Sequence, residues 1–219
     1  MIFNTHYPYI GGGGVVPKFT YTGQYSFIDD GGGNWRIKFL TSGVLTWLKD
    51  TMIDVFLVGA GGGGKSESPQ AGGGGGYTKT VKSVALAKNA QYTIEIGVSG
   101  ESVDGGNTSA FGVTAEGGKV GGKTIGAGGN GGSGGGGYNA AGGIDGANGS
   151  SNSIYRGGTG QGTTTREFGE STGNLYASGG SGVASGATAG ADNTGDGGDN
   201  GKAGDSGIVV VRKHKEAAA

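Results

Sequence analysis

The sequence contains no cysteine and only two histidines among its 219 residues. A disulfide framework is therefore excluded, and cysteines cannot indicate the redox compartment. The formal net charge at pH 7 is −1 and Lys and Arg form no block, so the sequence predicts no basic surface that would bind nucleic acid or an anionic membrane. No apolar stretch approaches the roughly 20 residues of a membrane-spanning helix. These absences predict a protein with neither a nucleic-acid partner nor membrane insertion.

Large apolar residues are scarce and unevenly distributed. Leu, Ile, Val and Phe account for 39 of the 219 residues, of which 23 fall within 17–116 and only seven within 117–206. The first part can build a hydrophobic core, whereas the second must become ordered in another way. We predict an N-terminal arm at 1–16, a β-sandwich from 17–116 with 207–216, and a glycine-rich insert at 117–206. The alanines at 217–219 resemble a cloning scar.

The apolar pattern of the first part predicts strands. WRIKF, residues 35–39, places three apolar side chains on one face and two basic ones on the other, which is typical of a half-buried strand. The segments at 53–59 and 207–213 are apolar on both faces, as expected for central strands. We therefore predict an all-β, jelly-roll-like antiparallel β-sandwich. Because the C-terminal strand needs burial, it is predicted to return to this sandwich and to make the glycine-rich segment an insertion.

Glycine accounts for 58 residues and recurs at every third position in parts of the insert. One such series is Gly195, Gly198, Gly201, Gly204 and Gly207. This period belongs to polyproline-II-type helices, which make no internal hydrogen bonds. Collagen shares the period but needs proline, and the insert contains none. A disordered linker and a bundle of polyglycine-II helices remain, and the pattern favours the bundle, in which glycine allows neighbouring backbones to bond.

Residues 59–66, GAGGGGKS, match the GxxxxGK[ST] pattern of phosphate-binding loops. A functional loop needs a helix beginning near Lys65, but five glycines follow at 72–76, each costing about 1 kcal/mol relative to alanine in a helix. A strand ending in Asp is also needed to hold the metal, whereas the late apolar strand ends in Arg212 and Lys213. We therefore predict no nucleotide binding, no cofactor and no catalytic residue.

Several segments together resemble one family. They are IDVFLVGAGGGG, GGGGGYTKTVKSVAL, the glycine tract of period three, GQGTTTREFGESTG and the closing GDSGIVVVRK. In this combination the chain resembles glycine-rich domain proteins of phages and prophages, mainly of Firmicutes. A similar plan, a jelly-roll-like sandwich with inserted polyglycine helices, occurs in receptors of the anaplastic lymphoma kinase type. The tail-fibre-tip adhesins of T-even-like phages also use polyglycine-II sandwiches, whose loops touch the host receptor.

The resemblance implies a virion-associated, extracellular protein of the tail-fibre or receptor-binding type. Its partners would be a bacterial surface protein or glycan and other virion proteins, and it could form a homo-oligomer. Unlike the fibre-tip adhesins, this chain carries its own β-sandwich, so the receptor-contacting loops of those adhesins cannot be matched one by one to loops of this chain. A structural virion spacer without a ligand is the alternative. An ice-binding protein is a distant third, because the Thr163–Thr165 run is short.

Large side chains in the insert are few, and a bundle of glycine helices has no interior room for them. Most of them are Tyr138, Ile154, Tyr155, Arg156, Phe168, Leu175 and Tyr176. Aromatic residues and Arg are the usual anchors of interfaces. We therefore predict receptor contacts at Tyr138, Asn139, Ile154, Tyr155 and Arg156, in loops between helices. The alternative is that the large side chains seal the bundle against the sandwich.

The other titratable residues are expected to be solvated or to form surface ion pairs. Asp192, Asp196, Asp199 and Asp205 lack the apolar repeat position of calcium-binding nonapeptides, so no metal site is predicted. His6 and His214 lie in opposite terminal segments, and no Ser–His–Asp grouping is predicted from them. Glu167 and Glu170 are expected to form a loop salt bridge with Arg166.

Overall fold

The computed structural model describes residues 17–67, 70–122, 126–151, 156–183, 188–189 and 192–215. The fold is all-β, with two antiparallel sheets of five strands each, which confirms the predicted β-sandwich. Among these residues, the helical structure is a single 3₁₀ turn at Glu167–Gly169. The described part of the chain contains no helix long and apolar enough to span a membrane.

The two sheets are built as follows. The first has the order β1 (Phe19–Tyr21), β4 (Gly43–Trp47), β7 (Gln91–Glu95), β8 (Thr108–Ala110) and β9 (Val113–Ala115). The second has the order β2 (Tyr25–Gly31), β3 (Asn34–Phe39), β10 (Ile208–Lys213), β5 (Thr51–Val58) and β6 (Thr78–Leu86). The C-terminal strand β10 therefore returns to the sandwich, as predicted, and it lies between β3 and β5, with Val211 opposite both Ile37 and Val55.

The main core lies between the two sheets. Ile53, Val55 and Leu57 of β5 point into it, together with Val209 and Val211 of β10. Trp35 and Trp47, one from each sheet, meet there with ring centroids 5.9 Å apart. Alternation along the strands sends every second side chain to the other face of the second sheet.

The outer face of the second sheet is also apolar, because a loop covers it. Residues 163–177, which we call the covering segment, cross this face and bring Phe168 and Tyr176, each 4% exposed, against Phe56. A second buried cluster results, in which β5 and β10 contribute their outward apolar side chains. For Phe168 and Tyr176, sealing against the sandwich is therefore the observed arrangement.

The hydrogen bonds of residues 59–65, which follow β5, repeat every three residues. The N–H groups at 59, 62 and 65 donate to residues 71–77, those at 60 and 63 donate to 103–106, and those at 61 and 64 donate to 202–205. Successive donors thus point to three different neighbours in turn. Three residues per turn and hydrogen bonds only to neighbours are the properties of a polyglycine-II helix.

Residues 71–77, which precede β6, repeat the pattern with three other neighbours. The N–H groups at 74 and 77 donate to residues 116–119, those at 72 and 75 donate to 133–136, and those at 73 and 76 donate to 195–198. We call the resulting assembly the glycine bundle; its segments are 59–65, 71–77, 97–106, 116–122, 126–150, 156–161, 177–183 and 195–207. Two of the central segments, 59–65 and 71–77, therefore come from the range 17–116 that we assigned to the sandwich.

Candidate functional site

One end of the glycine bundle adjoins the sandwich and the other lies away from it. Residues 59–65 leave β5 and residues 71–77 enter β6, so Gly59 and Tyr77 lie at the sandwich. Lys65 and Ala71 lie at the opposite end, which we call the distal end. The Lys65 N–H donates to the Ala71 carbonyl at 2.8 Å and closes the two segments there.

The turn at Tyr138 and Asn139 belongs to the distal end. The preceding Gly136 accepts the N–H of Gly72, the neighbour of Ala71, at 2.9 Å. Tyr138 is half-buried and Asn139 is exposed. Asn139 has φ +53°, a left-handed conformation that Asn adopts more readily than most residues.

Arg156 lies at the same end of the bundle. Its carbonyl accepts the N–H of Gly128 at 3.0 Å, and the next residue, Gly129, donates to Gly72 at 3.0 Å. The residue is exposed. Ile154 and Tyr155, the remaining predicted contacts, lie outside the described residues. The predicted contacts that the structure does describe therefore share one end of the bundle, opposite the sandwich.

The phosphate-loop match at residues 59–65 has a different role. All seven of its N–H groups donate to backbone carbonyls at 2.8–3.0 Å, and all seven residues are buried. A phosphate cradle needs such N–H groups to point at the ligand. Here a phosphate could bind only by breaking the centre of the glycine bundle.

The covering segment is fastened to the second sheet by a buried carboxylate. Glu167 accepts from Arg36 at 2.6 Å and Lys38 at 2.7 Å, and the Tyr176 hydroxyl donates to it at 2.5 Å. Burial alone would raise the pKa of Glu167, but the hydrogen bonds from Lys38 and Tyr176 outweigh it and hold that pKa below its usual value. The Glu167 carboxylate thus ties the covering segment to two basic side chains of β3, and these compensate its own buried charge.

The predicted loop salt bridge to Arg166 is wrong. Glu170 pairs with Arg212 of β10, and the guanidinium of Arg166 lies 3.5 Å from the carboxylate of Asp145. The carboxylates of the covering segment therefore pair with basic residues of the sandwich, which are distant in sequence and could not be identified from local spacing.

The aspartates near the end of the insert are structural, and the expectation of solvated carboxylates is wrong for three of them. Asp196 and Asp199 accept the N–H groups of Ser178 and Ser181, each at 2.7 Å. Asp205 is 4% exposed, and burial raises its pKa to about 7. Within the described ranges, no group of three or more His, Cys, Asp or Glu side chains could hold a metal ion.

A polar cluster at the end of β10 includes a histidine that we expected to be solvated. The His214 side chain is only 20% exposed; its Nδ1 lies 2.5 Å from Asp54 Oδ1 and its Nε2 lies 3.2 Å from Ser83 Oγ. Arg212 donates Nε–H to Asp54 Oδ2 at 3.0 Å. Burial alone would raise the pKa of Asp54, but hydrogen bonds from His214 and Arg212 hold it below its usual value.

The prediction of no Ser–His–Asp grouping is therefore wrong. These residues lie far apart in sequence, and the pairing of β10 with β5 and of β5 with β6 brings them together. No spacing rule links three such positions. Only the alternation of β10, which places His214 on the face of Arg212, was available from the sequence.

Comparison with known proteins finds no matching family model and no matching curated protein. The geometry of this chain and its motifs, which resemble those of a phage family, are therefore the basis for inferring its function.

Proposed function

We propose that the protein is a phage virion component of the tail-fibre or receptor-binding type, which attaches to a bacterial surface through the distal end of its glycine bundle. The observation that supports this proposal best is the convergence of Tyr138, Asn139 and Arg156 at that end. Glycine helices present backbone and small side chains, which offer a receptor little chemical identity. A phenol, an amide and a guanidinium provide aromatic, hydrogen-bonding and charged contacts.

Close packing of the bundle supports a role in presenting these loops. A Cβ added to Gly74 would lie 2.1 Å from the carbonyl oxygen of Asn130, so neighbouring backbones are in direct contact. Segments held this closely keep the distal turns at fixed separations. Contacts that are organised before binding lose little conformational entropy when a receptor engages them.

The alternative is a structural spacer without a ligand. The sealing role of Phe168 and Tyr176 favours this alternative, because these large aromatic side chains pack against the sandwich and are not exposed to a receptor. Ice binding has no comparable support, because Thr165 is fully buried and the Thr164 hydroxyl donates to Asp145 at 2.9 Å. An ice-binding face needs regularly spaced exposed threonines instead.

Binding of the fluorescently labelled protein to a panel of intact Firmicutes cells and their isolated cell walls separates the two functions. An adhesin should bind at least one strain, and the double variant Tyr138→Ala with Arg156→Ala should bind it at least tenfold more weakly, since loss of about 1.4 kcal/mol is tenfold in affinity. The matched control is Ile144→Ala. Ile144 is 60% exposed but precedes Asp145, which accepts an N–H from the covering segment at the sandwich end.

The control variant should bind like the parent. If the double variant binds as well as the parent, Tyr138 and Arg156 are not the receptor site. A large drop in the melting temperature of the double variant would show that they seal the bundle instead. Absence of binding to every strain of the panel would favour the spacer.

A further inference from the structure

The polar cluster on the second sheet has the connectivity of a nucleophilic site. β10 runs antiparallel to β5 with Arg212 opposite Asp54, and His214 lies two residues farther along, on the same face. The N–H of His214 donates to the Met52 carbonyl at 3.1 Å, which continues the pairing and fixes the backbone of the histidine. The imidazole is therefore held over a carboxylate that is 1% exposed.

Ser83 is presented to this imidazole by a β-bulge. The register between β5 and β6 shifts at Asp54, so that Lys82 and Ser83 together face that one position. Ser83 is exposed and has φ +59°, and its N–H donates to Asp54 Oδ1 at 3.2 Å. Bulges frequently redirect a side chain beside an active site.

A purely structural bulge would not need the hydroxyl group. Glycine adopts φ +59° without a steric penalty and would keep the N–H bond to Asp54. Serine in this conformation costs on the order of 1 kcal/mol or more. Despite this cost the position holds a serine. Its exposed Oγ lies 3.2 Å from His214 Nε2, and the other ring nitrogen, Nδ1, contacts the buried Asp54 carboxylate.

We propose that Ser83, His214 and Asp54 form a nucleophilic triad that cleaves carboxylic esters with short acyl groups. The order of contacts, from hydroxyl to Nε2 and from Nδ1 to carboxylate, is that of nucleophile, general base and orienting group. The carboxylate is positioned in turn by Arg212. The triad lies on the second sheet, so this proposal is independent of receptor binding at the distal end.

A groove of about 410 Å³ beside the triad supports the choice of substrate. It is lined by Asp50, Thr51, Met52, Ala85, Leu86 and Ala87. Met52 is 45% exposed, lies on the same face of β5 as Asp54, and pairs with Ala85 across to β6. Residues two apart on one strand are separated by about 7 Å. Four of the six lining residues, Met52 and the three at 85–87, are apolar, which fits an acyl group of limited size.

The reaction proceeds in two steps. His214 Nε2 takes the hydroxyl proton as Ser83 Oγ bonds to the ester carbonyl carbon; the bond from that carbon to the alcohol oxygen breaks, and the imidazolium protonates the leaving alkoxide. A water, deprotonated by the same nitrogen, then attacks the acyl carbon; the bond from that carbon to Ser83 Oγ breaks, the imidazolium returns its proton to the serine oxygen, and the acid leaves. The Ser83 N–H is donated to Asp54 and cannot stabilise the oxyanion, so turnover should be slow.

Labelling of the full chain with a fluorophosphonate probe tests the proposal, because phosphonylation requires only the activated serine. Mass spectrometry of the wild type should place the adduct on Ser83. Ser83→Gly keeps the bulge conformation and should not be labelled there, and His214→Gln should be labelled at least 100-fold more slowly. The matched control is Ser109→Ala, whose hydroxyl donates to Glu95 at 2.9 Å and whose loss should leave labelling of Ser83 unchanged.

A burst of p-nitrophenol from p-nitrophenyl acetate, absent in Ser83→Gly, should accompany the labelling. An unlabelled Ser83 in the folded wild type, under conditions that label a known serine esterase, would overturn the proposal. So would labelling at the wild-type rate in His214→Gln. Ser83→Gly should melt no earlier than the wild type, since glycine relieves the strained backbone, so its loss of activity cannot be attributed to unfolding.

Discussion

Replacing a central glycine of the bundle by alanine should destabilise the whole protein. A Cβ on Gly74 would lie 2.1 Å from the Asn130 oxygen, whereas ordinary contact begins near 3.4 Å. The neighbouring segment must therefore move by roughly 1.3 Å. The Asn130 carbonyl accepts from the Lys119 N–H at 2.7 Å and the adjacent Gly129 N–H donates to Gly72 at 3.0 Å, and such a shift breaks both bonds. Each buried group left unsatisfied costs about 1–3 kcal/mol, so we expect a loss of about 2–6 kcal/mol.

That loss corresponds to a fall in melting temperature of about 5–20 °C for a domain of this size, measurable by circular dichroism. The control is Gly100→Ala, because the nearest atom to its Cβ is a methyl group of the exposed Val103 side chain, at 3.2 Å, and no backbone atom blocks it. This variant should stay within about 0.5 kcal/mol of the parent. If the melting temperatures of Gly74→Ala and Gly100→Ala differ by less than about 2 °C, the close packing of the bundle is wrong.

Two further predictions concern the glycine bundle. ATP or GTP with Mg²⁺ should leave the melting temperature unchanged because the N–H groups of residues 59–65 are already bonded; a nucleotide-induced rise that disappears in Lys65→Ala would contradict this. Burial, reinforced by Asp196 and Asp192, raises the pKa of Asp205 from 3.8 to about 7, so the folded state retains a proton that the unfolded chain has lost. The stability contributed by this group should be full below about pH 4 and be lost as the pH rises through 7. Asp205→Asn should therefore show a smaller difference in melting temperature between pH 5 and pH 8 than the parent, and an equal difference would refute the assignment.

The sandwich could be predicted because its strands follow local rules. The alternation in residues 35–39 and the continuous apolar runs of β5 and β10 identify half-buried and central strands. The outer apolar side chains of β5 and β10 also required a cover. The identity of that cover could not be predicted, because Phe168 and Tyr176 reach Phe56 across more than a hundred residues of sequence.

The extent of the glycine bundle was only partly predictable. The period of three in the insert identified helices that touch neighbours on some of their faces. The uninterrupted runs at 61–64 and 72–76 have no such period, since every position is glycine. Their burial explains the composition: a helix surrounded by neighbours on all sides cannot carry a Cβ anywhere. An unbroken glycine run beside periodic ones is therefore the signal for the centre of a bundle.

The sequence by itself determined the class of the strands and of the glycine segments with a period of three, because side-chain size, alternation and glycine spacing act over a few residues. It separated strands from glycine helices and excluded a helix after Lys65. The tertiary structure alone decided which segments became neighbours. Tyr138 and Arg156 share the distal end, and Asp54, Ser83 and His214 meet on the second sheet, because hydrogen-bond registers between distant strands and helices set those positions. Such registers depend on the packing of the whole chain, which no local pattern specifies.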